Sequence, residues 1–287
     1  MSTIDNENHS QLFFFTQNQL FERNGAMNVS EINGKIAVVT GAAGGMGQII
    51  SEKLAENGAV IAAIDTNSQV LKKCVKELQD KGYQATGFSI DISNLDAVEE
   101  VVAFIESDVG PIEVLVNAAG MLRLGEIDVL DKEDWNASFA VNATGVFHVS
   151  STVSRRMIPR KSGAIITVSS NAAHMPRMAM AAYGASKAAA TMFTKCMGLE
   201  LAQYNIRCNV ISPGSTETSM LKKLWKDEHG AQKTIEGQSE AYRVGIPLGK
   251  LGKPKDIAET VLFLVSDHAS HITMHDMVID GGATLGI

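Results

Sequence analysis

Residues 35–47 read Lys-Ile-Ala-Val-Val-Thr-Gly-Ala-Ala-Gly-Gly-Met-Gly, an apolar β-branched run that breaks into Gly41, Gly44, Gly45 and Gly47 as an amphipathic pattern begins near Met46. A strand passing through a glycine-rich turn into a helix is the construction that cradles a pyrophosphate. The glycines permit the tight turn, backbone N–H groups approach the phosphates, and the helix N-terminus favours their charge. A glycine-rich turn alone is weak evidence. Its weight here comes from Asp65, which ends the next apolar run, Val60–Asp65. It follows the turn at close to the roughly 20 residues that separate such a turn from the acid on an adenosine ribose. A carboxylate that accepts both ribose hydroxyls repels the extra phosphate of NADP, and neither the turn nor Thr66-Asn67 supplies a Lys or Arg to offset that repulsion. The residues therefore point to NAD.

Outward from this unit, further apolar runs at residues 85–90, 114–117, 164–169, 207–211 and 277–280 alternate with helical patterns. That alternation marks parallel βαβ units, and runs that are continuously apolar need cover on both faces. The expected fold class is α/β: a single doubly wound Rossmann domain, with a seven-stranded parallel sheet and helices on both faces. No linker interrupts the series, so residues 31–287 read as one domain. Residues 1–30 are rich in Asn, Gln, Ser and Glu without a period and read as a disordered extension without chemistry, with Met27 as an alternative start. Residues 215–249 are polar, lack strand character and follow the sixth strand, where a substrate lid is expected.

Composition narrows the function. Hydrophobic residues at 45%, charged residues at 20% and 25 Gly against 6 Pro fit a packed α/β protein. A formal net charge of -7 without a basic cluster excludes nucleic acid as a partner. Lys222, Lys223 and Lys226 around Trp225 read as a solvated helix face. Cys74, Cys196 and Cys208 are odd in number and lack metal or redox spacing, which suits a reducing, cytoplasmic setting. Asp5 and Glu7 replace a basic leader, and Leu12 to Phe15 is too short a run for export or a membrane span. His268, His271 and His275 have neither a helical pattern nor a Cys or acid cluster to complete a shell, so no metal is expected.

Tyr183-Gly184-Ala185-Ser186-Lys187 opens a helical stretch reaching about Tyr204. Tyr183 and Lys187, at i and i+4, share one helix face. A free phenol has a pKa of about 10, too high for a base near neutrality, but a neighbouring ammonium and a cationic nicotinamide both favour the phenolate. Such a tyrosine accepts a proton as hydride leaves.

With these residues in place, the chain from about Lys35 to the C-terminus resembles the short-chain dehydrogenase/reductase family. The matching pieces are the Thr40 to Gly47 turn, Asn117-Ala118-Ala119-Gly120, Ser170 ahead of Tyr183 and Lys187, and Pro213-Gly214 with Thr218. The resemblance implies that Ser170 holds the reacting oxygen, that Tyr183 is the acid–base, and that Lys187 lowers its pKa while binding the nicotinamide ribose. It further implies that Asn142 holds a water in a proton relay. Of the adjacent serines, spacing selects Ser170 over Ser169. For the cofactor it implies Gly41, Gly45, Met46 and Gly47 at the phosphates, and Asp91 with Ile92 near the adenine. Asn117, Ala118 and Gly120 follow the fourth strand, and Pro213, Gly214, Thr216 and Thr218 clamp the nicotinamide end. Met46 stands where the family usually has Ile or Leu, a change that leaves its backbone N–H in place. Homotetramers are the family's common assembly.

Within the family, residues 117–123 with 132–135, then 172–177, 213–218 with 246–250, and 269–273 resemble the subgroup that converts a cyclic dihydrodiol carboxylic acid to a catechol in siderophore synthesis. A substrate of that kind needs a cation for its carboxylate and apolar walls for its ring. Arg123 and Arg177 both follow strand C-termini, and Met175, Met178 and Met180 offer a polarizable wall. His174 either bonds the substrate or lines the loop. The alternatives are a 3-oxoacyl-carrier-protein reductase, which would favour NADPH, a sugar-alcohol dehydrogenase, and a non-catalytic NAD-binding regulator, which would tend to lose the Tyr or the Lys.

Overall fold

A computed structural model describes residues 32–225 and 227–286. The expected extension at residues 1–30, and Lys226 of the lysine cluster, lie outside the described residues.

The strands are β1 (Ile36–Thr40), β2 (Val60–Asp65), β3 (Ala85–Ser89), β4 (Ile112–Asn117), β5 (Gly163–Val168), β6 (Ile206–Pro213) and β7 (Asp276–Ile279). They pair in parallel in the order β3-β2-β1-β4-β5-β6-β7. The helices are α1 (Gly45–Glu56), α2 (Ser68–Asp80), α3 (Leu95–Phe104), α4 (Lys132–Phe139), α5 (Val146–Met157), α6 (Ala181–Leu201), α7 (Ser219–Lys222), α8 (Gly230–Glu236) and α9 (Pro254–Val265).

Strand parity explains why both sheet faces need cover. Ala37, Val39, Ile61, Ala63, Val114, Val116, Ala164 and Ile166 turn to one core, which α1, α2 and α9 close with Ile50, Leu54, Leu71, Leu78, Val261 and Val265. Their neighbours Val38, Ala62, Ile64, Leu115 and Ile165 turn to the other, closed by Val98 and Val102 of α3, Val149 and Val153 of α5, and Met197 and Leu201 of α6. Each fully buried large aliphatic residue contributes about 1.5 to 3 kcal/mol, so neither face tolerates a polar substitution at these positions. Helix starts are written locally: Asn67, Asn94 and Asp131 accept hydrogen bonds from Val70, Ala97 and Asp134 N–H groups respectively.

Chain direction across the sheet reverses between β1 and β4, which opens a crevice at their C-terminal ends. Two departures from regular structure bear on that crevice. Between α4 and α5 the helix widens into a π-helical turn, Ala140–Gly145. The stretch expected to be a lid is structured: α7, α8 and a 3₁₀ turn at Ser239–Ala241 are tied down by a Gln238–Arg243 bridge, with a Thr216–Gly252 bridge at the base. Among the described residues no helix is long and apolar enough to cross a membrane.

Candidate active site

At the C-terminal end of β1 the chain turns through Gly41 with φ +67°. A Cβ there would lie 2.6 Å from the Ala119 Cα, and one on Gly47 only 2.1 Å from the Gly41 carbonyl oxygen. Both contacts are with backbone, so no side-chain movement relieves them and only glycine lets the turn close. Thr40 Oγ1 accepts from the Ala119 N–H at 3.2 Å, fastening the turn to the segment after β4. Helix α1 has Gly44 as its N-cap, no side chain capping its first N–H groups, and no acidic residue in its first turn. Those free donors and the positive end of the helix dipole suit an anion.

The Asp65 carboxylate reaches this turn. Its Oδ2 accepts from Ala43 N–H at 3.0 Å and its Oδ1 from Asn67 N–H at 2.9 Å, so the acid is oriented by backbone on both sides. Asp91, just past β3, is exposed, with Oδ1 accepting from both the amide and the hydroxyl of Ser93. Ile92 is 5% exposed and packs toward the π-helical turn, where a Cβ on Gly145 would meet it at 2.6 Å. Asn117 is turned inward: it is buried, and its Nδ2 donates to Ser150 Oγ at 2.8 Å. Ala118 packs at the edge of the first core, and a Cβ on Gly120 would meet Lys187 Nζ at 3.3 Å. After β6, Gly214 passes so close to β7 that a Cβ would lie 2.5 Å from that of Asp280. Thr216 Oγ1 donates to the Gly214 carbonyl at 3.2 Å, and Thr218 caps α7 beside Gly45. The turn, the open α1 terminus and the free edge at Asp65 together fit a dinucleotide.

Tyr183 and Lys187 project from the first turns of α6, as their i,i+4 spacing requires. Lys187 is 4% exposed, its Nζ donating to the Val168 carbonyl at 2.9 Å and lying 6.0 Å from the centre of the Tyr183 ring. Burial lowers its pKa to about 8. Tyr183 shifts the other way: burial raises its pKa, and the Ser170 hydroxyl hydrogen-bonded to it acts against that rise. In the chain by itself, then, Ser170 rather than Lys187 draws the phenol toward ionisation, because the ammonium is turned to the Val168 carbonyl. Ser169 belongs to the core, bonded to Thr191 Oγ1 at 2.7 Å and to the Lys187 carbonyl. Asn142 sits in the π-helical turn, fully buried. Its amide pairs with both backbone groups of Met121 at 2.8 Å and donates to Ser186 Oγ at 3.0 Å. Ser186 in turn donates to the Tyr183 carbonyl at 2.8 Å, linking Asn142 to the start of α6. Ser186 stands between Tyr183 and Lys187 in the sequence, but nothing local there signals its bond to Asn142.

The Lys187 environment has a stability consequence. An unfolded chain titrates this lysine near 10.5, whereas the folded chain releases its proton near 8. Between those values the unfolded state binds more protons, so folding stability rises with pH across the window, and below about 8 the full penalty for burying the charge is present. Measured by denaturant unfolding, the wild-type protein should gain on Lys187→Met by about 2 to 3 kcal/mol from pH 7 to pH 10. A difference that stays constant with pH would show that the buried ammonium carries no such penalty.

Ser170 and Tyr183 open onto a cavity of about 610 Å³. Met46, Leu122, Leu124, Met178 and Met180 form apolar wall on the sheet side, and Leu221, Leu224 and Trp225 form it on the side of α7 and α8. Arg177 lines this cavity; burial and then the charge of Arg243 lower its pKa, with Asp280 acting against both. Arg123 is placed elsewhere: it is not among the lining residues, and its Nε pairs with Asp134 Oδ1 at 3.5 Å. His174 also faces away, its Nε2 2.8 Å from Asp276 Oδ2. Asp276 Oδ1 accepts from Ser212 Oγ at 2.7 Å, so this cluster anchors the β5–α6 loop to β7 beside an adjoining cavity of about 410 Å³ that shares Ala172, Arg177 and Met180 with the first. Two lining residues that the sequence did not single out are Arg243, beyond α8, and Trp225, whose Nε1 is buried without a hydrogen-bond partner among the described residues.

Comparison with known proteins now bears on this site. The family model described as short chain dehydrogenase matches residues 35–229. A Bacillus subtilis (strain 168) protein named 2,3-dihydro-2,3-dihydroxybenzoate dehydrogenase is 56% identical over 261 residues, covering 91% of this chain and 100% of that one. The vibriobactin-specific 2,3-dihydro-2,3-dihydroxybenzoate dehydrogenase of Vibrio cholerae is 42% identical over 90% of this chain and 98% of its own. Among solved structures, an NAD+-bound xylitol dehydrogenase superposes with a TM-score of 0.80 at 31% identity, covering 88% of this chain and 100% of the other.

Proposed function

The chain belongs to the short-chain dehydrogenase family, and from that premise we propose that it oxidises 2,3-dihydro-2,3-dihydroxybenzoate to 2,3-dihydroxybenzoate with NAD, in the synthesis of a catechol siderophore. The observation that carries the reading is the cavity: it joins Ser170 and Tyr183 to apolar walls of a size suited to a six-membered ring and to a guanidinium without an ion-pair partner among the described residues. The 56% identity with the Bacillus subtilis enzyme supports the same substrate.

NAD supplies the hydride acceptor when bound. The turn at Gly41, Gly45, Met46 and Gly47 and the α1 terminus hold its pyrophosphate, Asp65 its adenosine ribose, and Asp91 with Ile92 the adenine side. Ala118 and Gly120 line the groove, with Asn117 shaping it from behind. Pro213, Gly214, Thr216 and Thr218 border the nicotinamide end, and Lys187 binds its ribose. Ser170 donates to the reacting oxygen, and Tyr183 as phenolate takes the hydroxyl proton as the carbinol carbon loses hydride. The proton leaves through Lys187 and a water held at Asn142. The product is an unsaturated ketone, which tautomerises to the catechol, and the aromaticity gained makes the step effectively one-way. Arg177 receives the carboxylate. Residues 215–249 act as a lid over the ring.

The decisive assay follows NADH formation by purified protein with 2,3-dihydro-2,3-dihydroxybenzoate, beside NADPH oxidation with a 3-oxoacyl thioester and NAD reduction with a sugar alcohol. Turnover of the dihydrodiol acid that is at least tenfold faster supports the reading, and preference for either alternative overturns it. Phe147, Met192 and Leu199, exposed by 48%, 60% and 69% on α5 and α6, supply the apolar face for a homotetramer. Sedimentation at micromolar concentration should give about four chain masses, and a monomer contradicts the assembly. The cysteines are free, with Cys196 exposed, in keeping with a cytoplasmic enzyme.

A further inference from the structure

Arg177 leaves the loop after β5, whereas Arg243 belongs to the segment beyond α8, and both line the cavity that holds Ser170 and Tyr183. Burial lowers the pKa of each, and the two charges lie near enough that Arg243 lowers that of Arg177 further. Two half-buried like charges facing one cavity are unfavourable unless an anion lies between them. The described residues do not provide that anion at close range. Among the described residues neither guanidinium has a carboxylate at ion-pair distance. Asp280, which acts on Arg177 from farther off, already accepts from Asn171 Nδ2, Gly282 N–H and Thr284 Oγ1. Of the two carboxylates on the cavity wall, Asp227 is paired with Lys233 at 2.6 Å and Glu240 is exposed.

The backbone at Arg243 is built to hold its position. Gln238 and Arg243 exchange N–H to carbonyl hydrogen bonds at 2.9 Å in both directions, and the guanidinium makes one long contact, Nη2 to Ser215 Oγ at 3.4 Å.

We propose that Arg243 is the second arm of a carboxylate clamp with Arg177, and that the substrate's own carboxylate ties the segment carrying Arg243 to the β5–α6 loop. Two planar forks from separate elements match the two oxygens of one carboxylate, which fixes the ring's orientation as well as its charge. An uncharged diol of the same shape leaves the clamp unfilled and the two elements untied, so the clamp selects for ring acids over neutral cyclic alcohols.

The proposal rests on the reading that the substrate is a dihydrodiol carboxylic acid, and its test is binding, which separates the two. With NADH present, Kd values for 2,3-dihydroxybenzoate and for catechol are measured by titration calorimetry for wild type, R177Q, R243Q, R243K and the R177Q/R243Q double variant. The expected result is that R243Q weakens 2,3-dihydroxybenzoate by about 10- to 30-fold and catechol by less than about threefold. R243K should fall between wild type and R243Q, and the double variant should bind acid and catechol alike. Equal weakening of both ligands by R243Q makes Arg243 a plain wall residue, and unchanged acid binding leaves Arg177 as the sole cation; either overturns the clamp. Should R243Q fail to fold, as judged by lost NADH binding, R243K decides, because an ammonium in place of the fork must still weaken the acid selectively. A wild-type protein that oxidises the dihydrodiol acid while R243Q behaves as a wall residue defeats only the clamp, whereas a wild type without that activity defeats the substrate reading itself.

Discussion

Tyr183→Phe is expected to lower kcat for oxidation by about 10²- to 10⁴-fold while leaving NADH affinity within a few-fold. The substitution removes one oxygen and keeps the ring that packs over Lys187, so the cavity wall and the α6 terminus stay in place. What is lost is the acceptor for the substrate proton. Because burial raises the pKa of this phenol, only partly offset by Ser170, the reactive phenolate form grows with pH. Wild-type kcat should therefore climb with pH through the titration of the ternary complex, and the residual kcat of the Phe variant should be flat over that range. Retention of more than a tenth of the wild-type rate, or an unchanged pH profile, would remove Tyr183 from the chemistry. An intact fluorescence titration with NADH separates that outcome from misfolding.

The second large effect concerns the cofactor. Asp65 is fixed by the Ala43 and Asn67 amides, so truncating it to Ala would release the turn as well as the charge. Asn keeps an acceptor for one of those amides and discards only the negative charge. Paired with Lys at Thr66, which stands beside it at the strand end, Asp65→Asn should move the ratio of kcat/KM for NAD over NADP by about 10²-fold or more toward NADP. Removing a repulsion and adding a phosphate partner are each worth about 1 to 2 kcal/mol, and every 1.4 kcal/mol is tenfold. A wild-type preference for NADP would show that Asp65 does not govern the ribose. A double variant with unchanged preference would place the discrimination elsewhere on the groove.

The parts of the site that were legible in the sequence are those whose chemistry lies within a few residues of chain. The glycine turn, Asp65 at the end of its strand and Tyr183 with Lys187 on one helical face are local statements, and the alternation of strands and helices implies a doubly wound parallel sheet. What escaped was set by distant partners. His174 reads from its loop as a substrate contact or a loop residue alike; its partner in the fold is Asp276 on β7, and no spacing reports that pairing. Arg123 and Arg177 are both strand-end cations, with Arg177 favoured by its place between Ser170 and Tyr183, and only the fold pairs the first with Asp134 and places the second on the cavity. Arg243 lies in a polar stretch with little periodicity, where position relative to the cavity depends on the Gln238 bridge and on packing such as Gly230 against Trp225. The strand limits moved by a residue or two for a similar reason: β4 starts at Ile112 because a register shift lets it pair with Ile36.

The π-helical turn at Ala140–Gly145 also bears on how this protein accommodates changes of length. Each residue of an α-helix advances the azimuth by about 100°, so the extra residue of a widened turn sets the rod before it and the rod after it out of phase. The leading segment α4 packs against α6, while the trailing segment α5 packs against α3 and sets Phe147 against Phe193 of α6. Those contacts keep their separate phases only while the insertion is present, with Asn142 at the discontinuity bonded to Met121 and Ser186. Deleting one residue here would yield a smoother helix and a better-formed hydrogen-bond ladder, but it would rotate one half of the rod against the other. The locally improved helix would thus be the globally mismatched one, and the irregular turn is the feature that lets a single helix serve two interfaces at once.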